Sequence, residues 1–148
     1  MKISRETDYA IRCLLFMARD PLQVFSVGKI SGPQKMPPSF LAKILQKLTR
    51  AGITTSTRGA GGGFRLTESP DRITLLSVIE ALEGPLKLND CLVDGTTCVR
   101  ANGCSAHSAW MEVRGEIVRT MRRYTLRRLL DREEGQRAGE IHPTGEGT

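Results

Sequence analysis

Apolar residues return at three- and four-residue steps in four stretches of the chain, each bracketed by residues that start or stop helices. The first covers residues 5–18. Tyr9, Cys13, Leu14 and Met17 form one face with Ala10 and Ala18 beside them, and Ser4 can cap the start. In the second, Leu41, Ile44, Leu45 and Leu48 fall at i, i+3, i+4 and i+7, while Lys43, Gln46, Lys47 and Arg50 hold the opposite face. Pro38-Ser39 marks its start with Ser39 as N-cap, and Gly52 its stop. The third places Leu75, Val78, Ile79 and Leu82 inward between the cap Thr74 and the terminator Gly84-Pro85. The fourth runs from Ala106 to about Tyr124, with Trp110, Val113, Ile117, Met121 and Tyr124 as a single stripe.

The intervening segments read differently. Residues 20–38 are broken by Pro21, Gly28, Gly32, Pro33, Pro37 and Pro38, which leaves room for a short helix over 27–31 capped by Ser26. From Ile53 to Leu66 the residues turn β-branched, then RGAGGG, then Phe64-Arg65-Leu66, the pattern of a β-hairpin with a glycine-rich tip. Thr125 can cap a short last helix through Leu130, and residues 131–148 have so little to bury that a disordered tail is expected.

A short helix, a turn and a second helix with an exposed basic face form a helix-turn-helix outline, and the hairpin after it has the place of a wing. The expected fold is mainly α with a small β-hairpin wing. A winged helix-turn-helix domain occupies 1–84, a cysteine-bearing loop 85–104, a long dimerisation helix with a short terminal helix 105–130, and the tail 131–148. The dimer expectation comes from Trp110, Val113, Ile117 and Met121: one apolar stripe on a long helix needs a partner surface, which its own domain or a second copy across a two-fold axis can supply.

Charge sharpens this outline. The 148 residues carry a net +6, but residues 1–66 hold eleven Lys/Arg against three Asp/Glu, and the remainder eleven against thirteen. An electropositive front half suits a polyanion, and double-stranded DNA with a palindromic operator is the partner expected of a dimeric helix-turn-helix protein. Ser39, Phe40 and Lys43 would lie nearest the bases. Lys47, Arg50, Arg58 and Arg65 would contact mostly phosphates, with Gly59, Gly62 and Gly63 letting the wing backbone approach. The tip is not GxxxxGK[ST], so it is no nucleotide-binding loop, and no catalytic dyad is visible; an enzyme is not expected. The N-terminus lacks the apolar stretch of a signal peptide and no apolar run is long enough to span a bilayer, so no membrane partner and a cytoplasmic location are expected.

The remaining chemistry lies in CLVDGTTCVRANGCSAH, where Cys91, Cys98, Cys104 and His107 fall within seventeen residues of a polar loop. Clustered cysteines in a chain of this class favour metal binding or redox chemistry over a disulfide framework. Three thiolates and one further ligand suit an iron–sulfur cluster or tetrahedral zinc. The short C-x2–4-C knuckle that zinc prefers is absent, but spacing alone leaves zinc and metal-free thiol chemistry open.

Several of these stretches together resemble one family. Asp8-Tyr9-Ala10, Ser39-Phe40-Leu41, Leu48 through Gly52, Arg58-Gly59 with Gly62-Gly63-Phe64, Ile79 through Gly84 and the cysteine loop resemble the IscR/NsrR-type (Rrf-type) winged helix-turn-helix regulators over roughly residues 1–130. The resemblance implies a homodimeric transcriptional repressor that binds DNA through helix and wing and whose operator affinity responds to an iron–sulfur cluster on the three loop cysteines. The fourth ligand implied is His107 with a 2Fe–2S cluster, or Asp8, reaching across the dimer, with a 4Fe–4S cluster. The signal would be redox state, iron–sulfur status or nitric oxide. A zinc-bound or thiol-based regulator and an electron-transfer iron–sulfur protein are the alternatives. Two departures stand out: the cysteine spacing is C-x6-C-x5-C where relatives carry C-x5-C-x5-C, and Ala42 stands where some relatives carry Glu in the recognition helix.

Overall fold

The structure, a computed structural model, describes residues 2–89, 92 and 103–140. Its elements follow the helical stripes closely. Helix α1 spans Arg5–Ala18, and Ser4 Oγ accepts from the Thr7 amide at 3.2 Å to cap it. Its inner face buries Ala10, Cys13, Leu14, Met17 and Ala18 completely. Cys13 is a small core residue: burial pushes its thiol up to about 12.

Helix α2 spans Val27–Gln34 behind the Ser26 cap and runs beyond the expected end at Ser31. It stops at Lys35, whose φ of 51° is left-handed and whose amide reaches the Gly32 and Ser31 carbonyls. Helix α3, Pro38–Arg50, is not capped by Ser39. Pro37 holds the N-cap position with extended backbone and Pro38 opens the first turn, where a missing N–H removes no helical bond. Ser39 is thereby placed inside the helix, on its exposed side. Leu41, Ile44, Leu45 and Leu48 are fully buried.

The hairpin pairs β1, Thr54–Thr57, antiparallel with β2, Gly63–Leu66, in the register Thr54↔Leu66, Thr55↔Arg65, Ser56↔Phe64 and Thr57↔Gly63. Phe25 adds a one-residue third strand beside β2: its N–H and carbonyl exchange 2.8 Å bonds with Phe64. Helix α4, Leu75–Glu83, starts from a capping box made by Thr74 and Ser77 and ends at Gly84, at φ 79°.

Helix α5 spans Ser105–Arg123 and helix α6 Leu126–Glu140. A bridge between Thr74 and Thr125 turns the chain back, with Leu75 N donating to Tyr124 O at 2.7 Å and Leu126 N to Ile73 O at 2.9 Å. Thr125 Oγ1 caps α6 by accepting from Arg128 N at 3.2 Å. Leu126 and Leu130 then join the core built by α1, α3 and α4. The expected end at Leu130 and the expected tail from Asp131 are corrected here, since residues 131–140 continue the helix. They bury little, but Glu133 pairs with Arg19 of α1 at 2.8 Å, and the Arg132 guanidinium lies 5.1 Å from the Tyr124 ring centroid. The rest of the expected tail, 141–148, lies outside the described residues. Among the described residues no helix is long and apolar enough to cross a membrane.

Candidate nucleic-acid interface and cysteine loop

The basic residues of α3 fall on the face opposite its apolar stripe because 3.6 residues per turn separates Lys43, Lys47 and Arg50 from Leu41, Ile44 and Leu48. Ser39, Lys43, Gln46, Lys47 and Arg50 are all exposed there. Phe40 is half-buried, with its ring edge-on to Tyr9 of α1 at 5.7 Å between centroids, so it buttresses the start of the helix. Lys47 is not free. Its ammonium lies 2.7 Å from a Glu6 carboxylate oxygen of α1, a pairing across 41 residues of chain that no local pattern announces.

Helix and hairpin are tied at their junction. Thr49 Oγ1 donates to Leu45 O at 2.8 Å and sits 2.8 Å from Thr54 Oγ1 at the start of β1. Thr67 Oγ1, just past β2, reaches the Gly52 carbonyl at 2.5 Å and the Ile53 carbonyl at 2.8 Å. These bonds fix the wing against the end of α3. Arg58 and Arg65 are both exposed on the hairpin.

The wing glycines divide into two kinds. Gly59 (φ 96°) and Gly61 (φ 77°) adopt left-handed backbone in open space. Gly62 and Gly63 instead lie where a β-carbon would meet Thr57 and Phe25 carbonyl oxygens. Their role is packing inside the wing, whereas close approach to a ligand remains available to Gly59.

Of the candidate metal ligands, Cys91 and Cys98 lie outside the described residues, while Cys104 and His107 are described. Cys104 holds the N-cap position of α5, half-buried and free. Its carbonyl accepts from the His107 amide at 3.1 Å, and the two side chains stand one helical turn apart at the positive end of the helix dipole. His107 Nδ1 is buried and has no hydrogen-bond partner among the described residues. A buried ring nitrogen is normally satisfied; among the described residues no three His, Cys, Asp or Glu side chains come together as a metal site. Asp8, the alternative fourth ligand, is exposed on α1 and engaged by Arg12 at 3.0 Å.

The start of the loop is anchored: Leu86 is buried and its carbonyl accepts from Arg114 Nε of α5 at 2.9 Å. Helix α5 buries none of its own residues. Trp110 is 45% exposed and Val113 44%, and further along Ile117, Met121 and Tyr124 line a shallow apolar hollow with Leu75 of α4. An open apolar stripe of this kind is a candidate interaction surface.

The chain matches the model of the Rrf2 family, described as an iron-dependent transcriptional regulator, over residues 3–132. It is 31% identical to the HTH-type transcriptional regulator NsrR of Geobacillus kaustophilus over 133 residues, which cover 88% of this chain and 90% of the relative. To NsrR of Halalkalibacterium halodurans it is 29% identical over 136 residues, covering 90% and 93%. The structure is similar to that of CymR, the global cysteine regulator of Bacillus subtilis, with a TM-score of 0.72 and 26% identity, covering 88% of this chain and 97% of that one.

Proposed function

Since the chain belongs to the Rrf2 family of transcriptional regulators, we propose that it is a homodimeric DNA-binding repressor whose operator affinity is set by an iron–sulfur cluster. Cys91, Cys98, Cys104 and His107 would hold the cluster. Ser39, Phe40, Lys43, Lys47, Arg50, Arg58, Gly59 and Arg65 would face a palindromic operator, with Gly62 and Gly63 shaping the wing from within. Trp110, Val113, Ile117 and Met121 would lie between the two protomers, in a cytoplasmic dimer. Four of these side chains already form the open apolar stripe of α5, and the exposed cations of α3 and the hairpin occupy one continuous stretch of chain.

One observation carries the sensing half of this reading: the buried Nδ1 of His107, without a hydrogen-bond partner among the described residues, one turn from the free thiol of Cys104. Three thiolates and an imidazole suit a 2Fe–2S cluster, and Asp8 would serve a 4Fe–4S cluster only by giving up its Arg12 partner. Such a cluster, when bound, supplies a group that oxidants and nitric oxide can alter. The protein's contribution is to join that group to the DNA surface. The loop begins at Gly84, directly after α4, and ends in α5. A change in the ligand set therefore acts on the domain helix and on the proposed dimer helix at once. A coupling of about 1–3 kcal/mol between the two sites is the expected scale.

Anaerobic purification with iron and sulfide counts and a visible spectrum tests the cluster. DNA binding by loaded and stripped protein tests the switch. Protein that is coloured, contains iron and sulfide, and binds DNA differently in the two states supports the proposal. Colourless protein holding one zinc per chain after both aerobic and anaerobic purification overturns the cluster. Equal affinity in the two states overturns the switch.

A further inference from the structure

The first turn of α1 touches both the entrance of the cysteine loop and the recognition helix. On the loop side stands Glu83, the last residue of α4, followed by the left-handed turn at Gly84. One Glu83 carboxylate oxygen accepts from Thr7 Oγ1 at 2.6 Å and from the Ser4 amide at 2.9 Å. Those two bonds, the Thr7 hydroxyl foremost, hold its carboxyl below the usual glutamate range. Thr7 is fully buried, so a carboxylate that withdraws takes away a partner that water does not replace.

On the DNA side, the residues flanking Thr7 in the same turn lead to α3. Glu6 pairs with Lys47 at 2.7 Å, and Tyr9 meets Phe40 edge-on at 5.7 Å. Glu83, Thr7, Glu6 and Lys47 thus form a contiguous chain of contacts through one rigid helical turn. The Tyr9–Phe40 contact keeps that turn seated on the start of α3.

We infer that Glu83 is a positioning residue for the recognition helix, which transmits the placement of the loop entrance through Thr7 and Glu6 to Lys47. The inference rests on the DNA-binding reading of α3 and adds the path by which the loop reaches it. A residue that only capped α1 would lower stability, and its effect on DNA binding would be independent of Lys47.

A double-mutant cycle of Glu83→Ala and Lys47→Ala separates these cases. It is carried out on the full chain, stripped of metal, with a duplex that the wild-type protein selects from a random-sequence pool. Glu83→Ala is expected to weaken binding at least about threefold in the wild-type background and less than about 1.5-fold in Lys47→Ala. Glu83→Gln keeps an acceptor oxygen for Thr7 and is expected to stay within about twofold of wild type. Unchanged affinity in Glu83→Ala, or the same loss in both backgrounds, overturns the inference. Should Glu83→Ala not fold, Thr7→Val takes its place in the cycle. Should the wild-type protein select no duplex, the DNA-binding reading has failed. The relay is then decided by urea unfolding of the same variants, where additive losses overturn it and non-additive ones sustain it.

Discussion

Gly63 lies directly against the backbone of Phe25. A β-carbon at Gly63 would press into the Phe25 carbonyl oxygen and approach Ser26 N to 2.9 Å, at the rung where Phe25 and Phe64 exchange hydrogen bonds. Phe25 can therefore pair beside β2 only because this position has no side chain. Gly63→Ala is expected to cost about 3 kcal/mol or more, since backbone rather than a flexible side chain must move. Gly59→Ala meets nothing within 4 Å and should cost only the left-handed penalty of its 96° φ, about 1–2 kcal/mol. Urea unfolding of both variants checks the ranking. Equal losses would mean that the Phe25 contact is not what selects glycine.

The helices were legible because each carried both a stripe and a boundary signal. Ser4, Ser26, Thr74 and Thr125 all cap as their positions predict. Three features had no local signal. A one-residue strand such as Phe25 has no period to detect. The Glu6–Lys47 pair joins residues 41 apart. The extension of α6 past Leu130 has no apolar stripe and leans on tertiary partners, Arg19 and Tyr124. At the start of α3 the cap chemistry of Ser39 lost to Pro38, which is better suited to the first helical position. The cysteine spacing points to chemistry in the loop, of which Cys91 and Cys98 lie outside the described residues. It did not distinguish metals, and the burial of His107 Nδ1 does not do so either, since zinc and iron–sulfur sites both take imidazole.

The ion pair at Lys47 changes what its removal should do to DNA binding. An unpaired cation at a phosphate releases about one counterion, so removing it lowers the salt slope by about 0.9. Arg58 is exposed on the wing and no ion pair engages it among the described residues. Arg58→Ala should therefore show nearly that full change. Lys47 already shares its charge with Glu6 at 2.7 Å and should show distinctly less. Affinity measured across a series of salt concentrations gives both slopes. A larger change for Lys47→Ala than for Arg58→Ala would place the principal phosphate contact on α3 instead of the wing.

His107 and Asp8 make opposite predictions for cluster retention. His107→Ala removes the buried nitrogen and should destabilise the cluster and alter its visible spectrum. Asp8→Asn leaves that nitrogen in place and breaks only an exposed pair with Arg12, so cluster content and spectrum should be preserved. Stripped His107→Ala should keep the wild-type unfolding free energy within about 1 kcal/mol, which separates loss of a ligand from loss of fold. Loss of the cluster in Asp8→Asn with its retention in His107→Ala would reverse the assignment.

Acid should reveal the Glu83 bonds. Thr7 Oγ1 and the Ser4 amide donate to its carboxylate and lower its folded-state value, so the stabilisation is present above the unfolded glutamate value and lost as pH falls through the folded one. Wild type should exceed Glu83→Gln in stability by a constant margin above about pH 5.5, and the margin should shrink below about pH 4.3. Gln keeps an acceptor but no charge, so the comparison isolates the ionised form. Urea unfolding from neutral to acid pH measures it. A margin that instead widens on acidification would mean that the protonated carboxyl makes the stronger bonds, and the two donors would not be holding the charge.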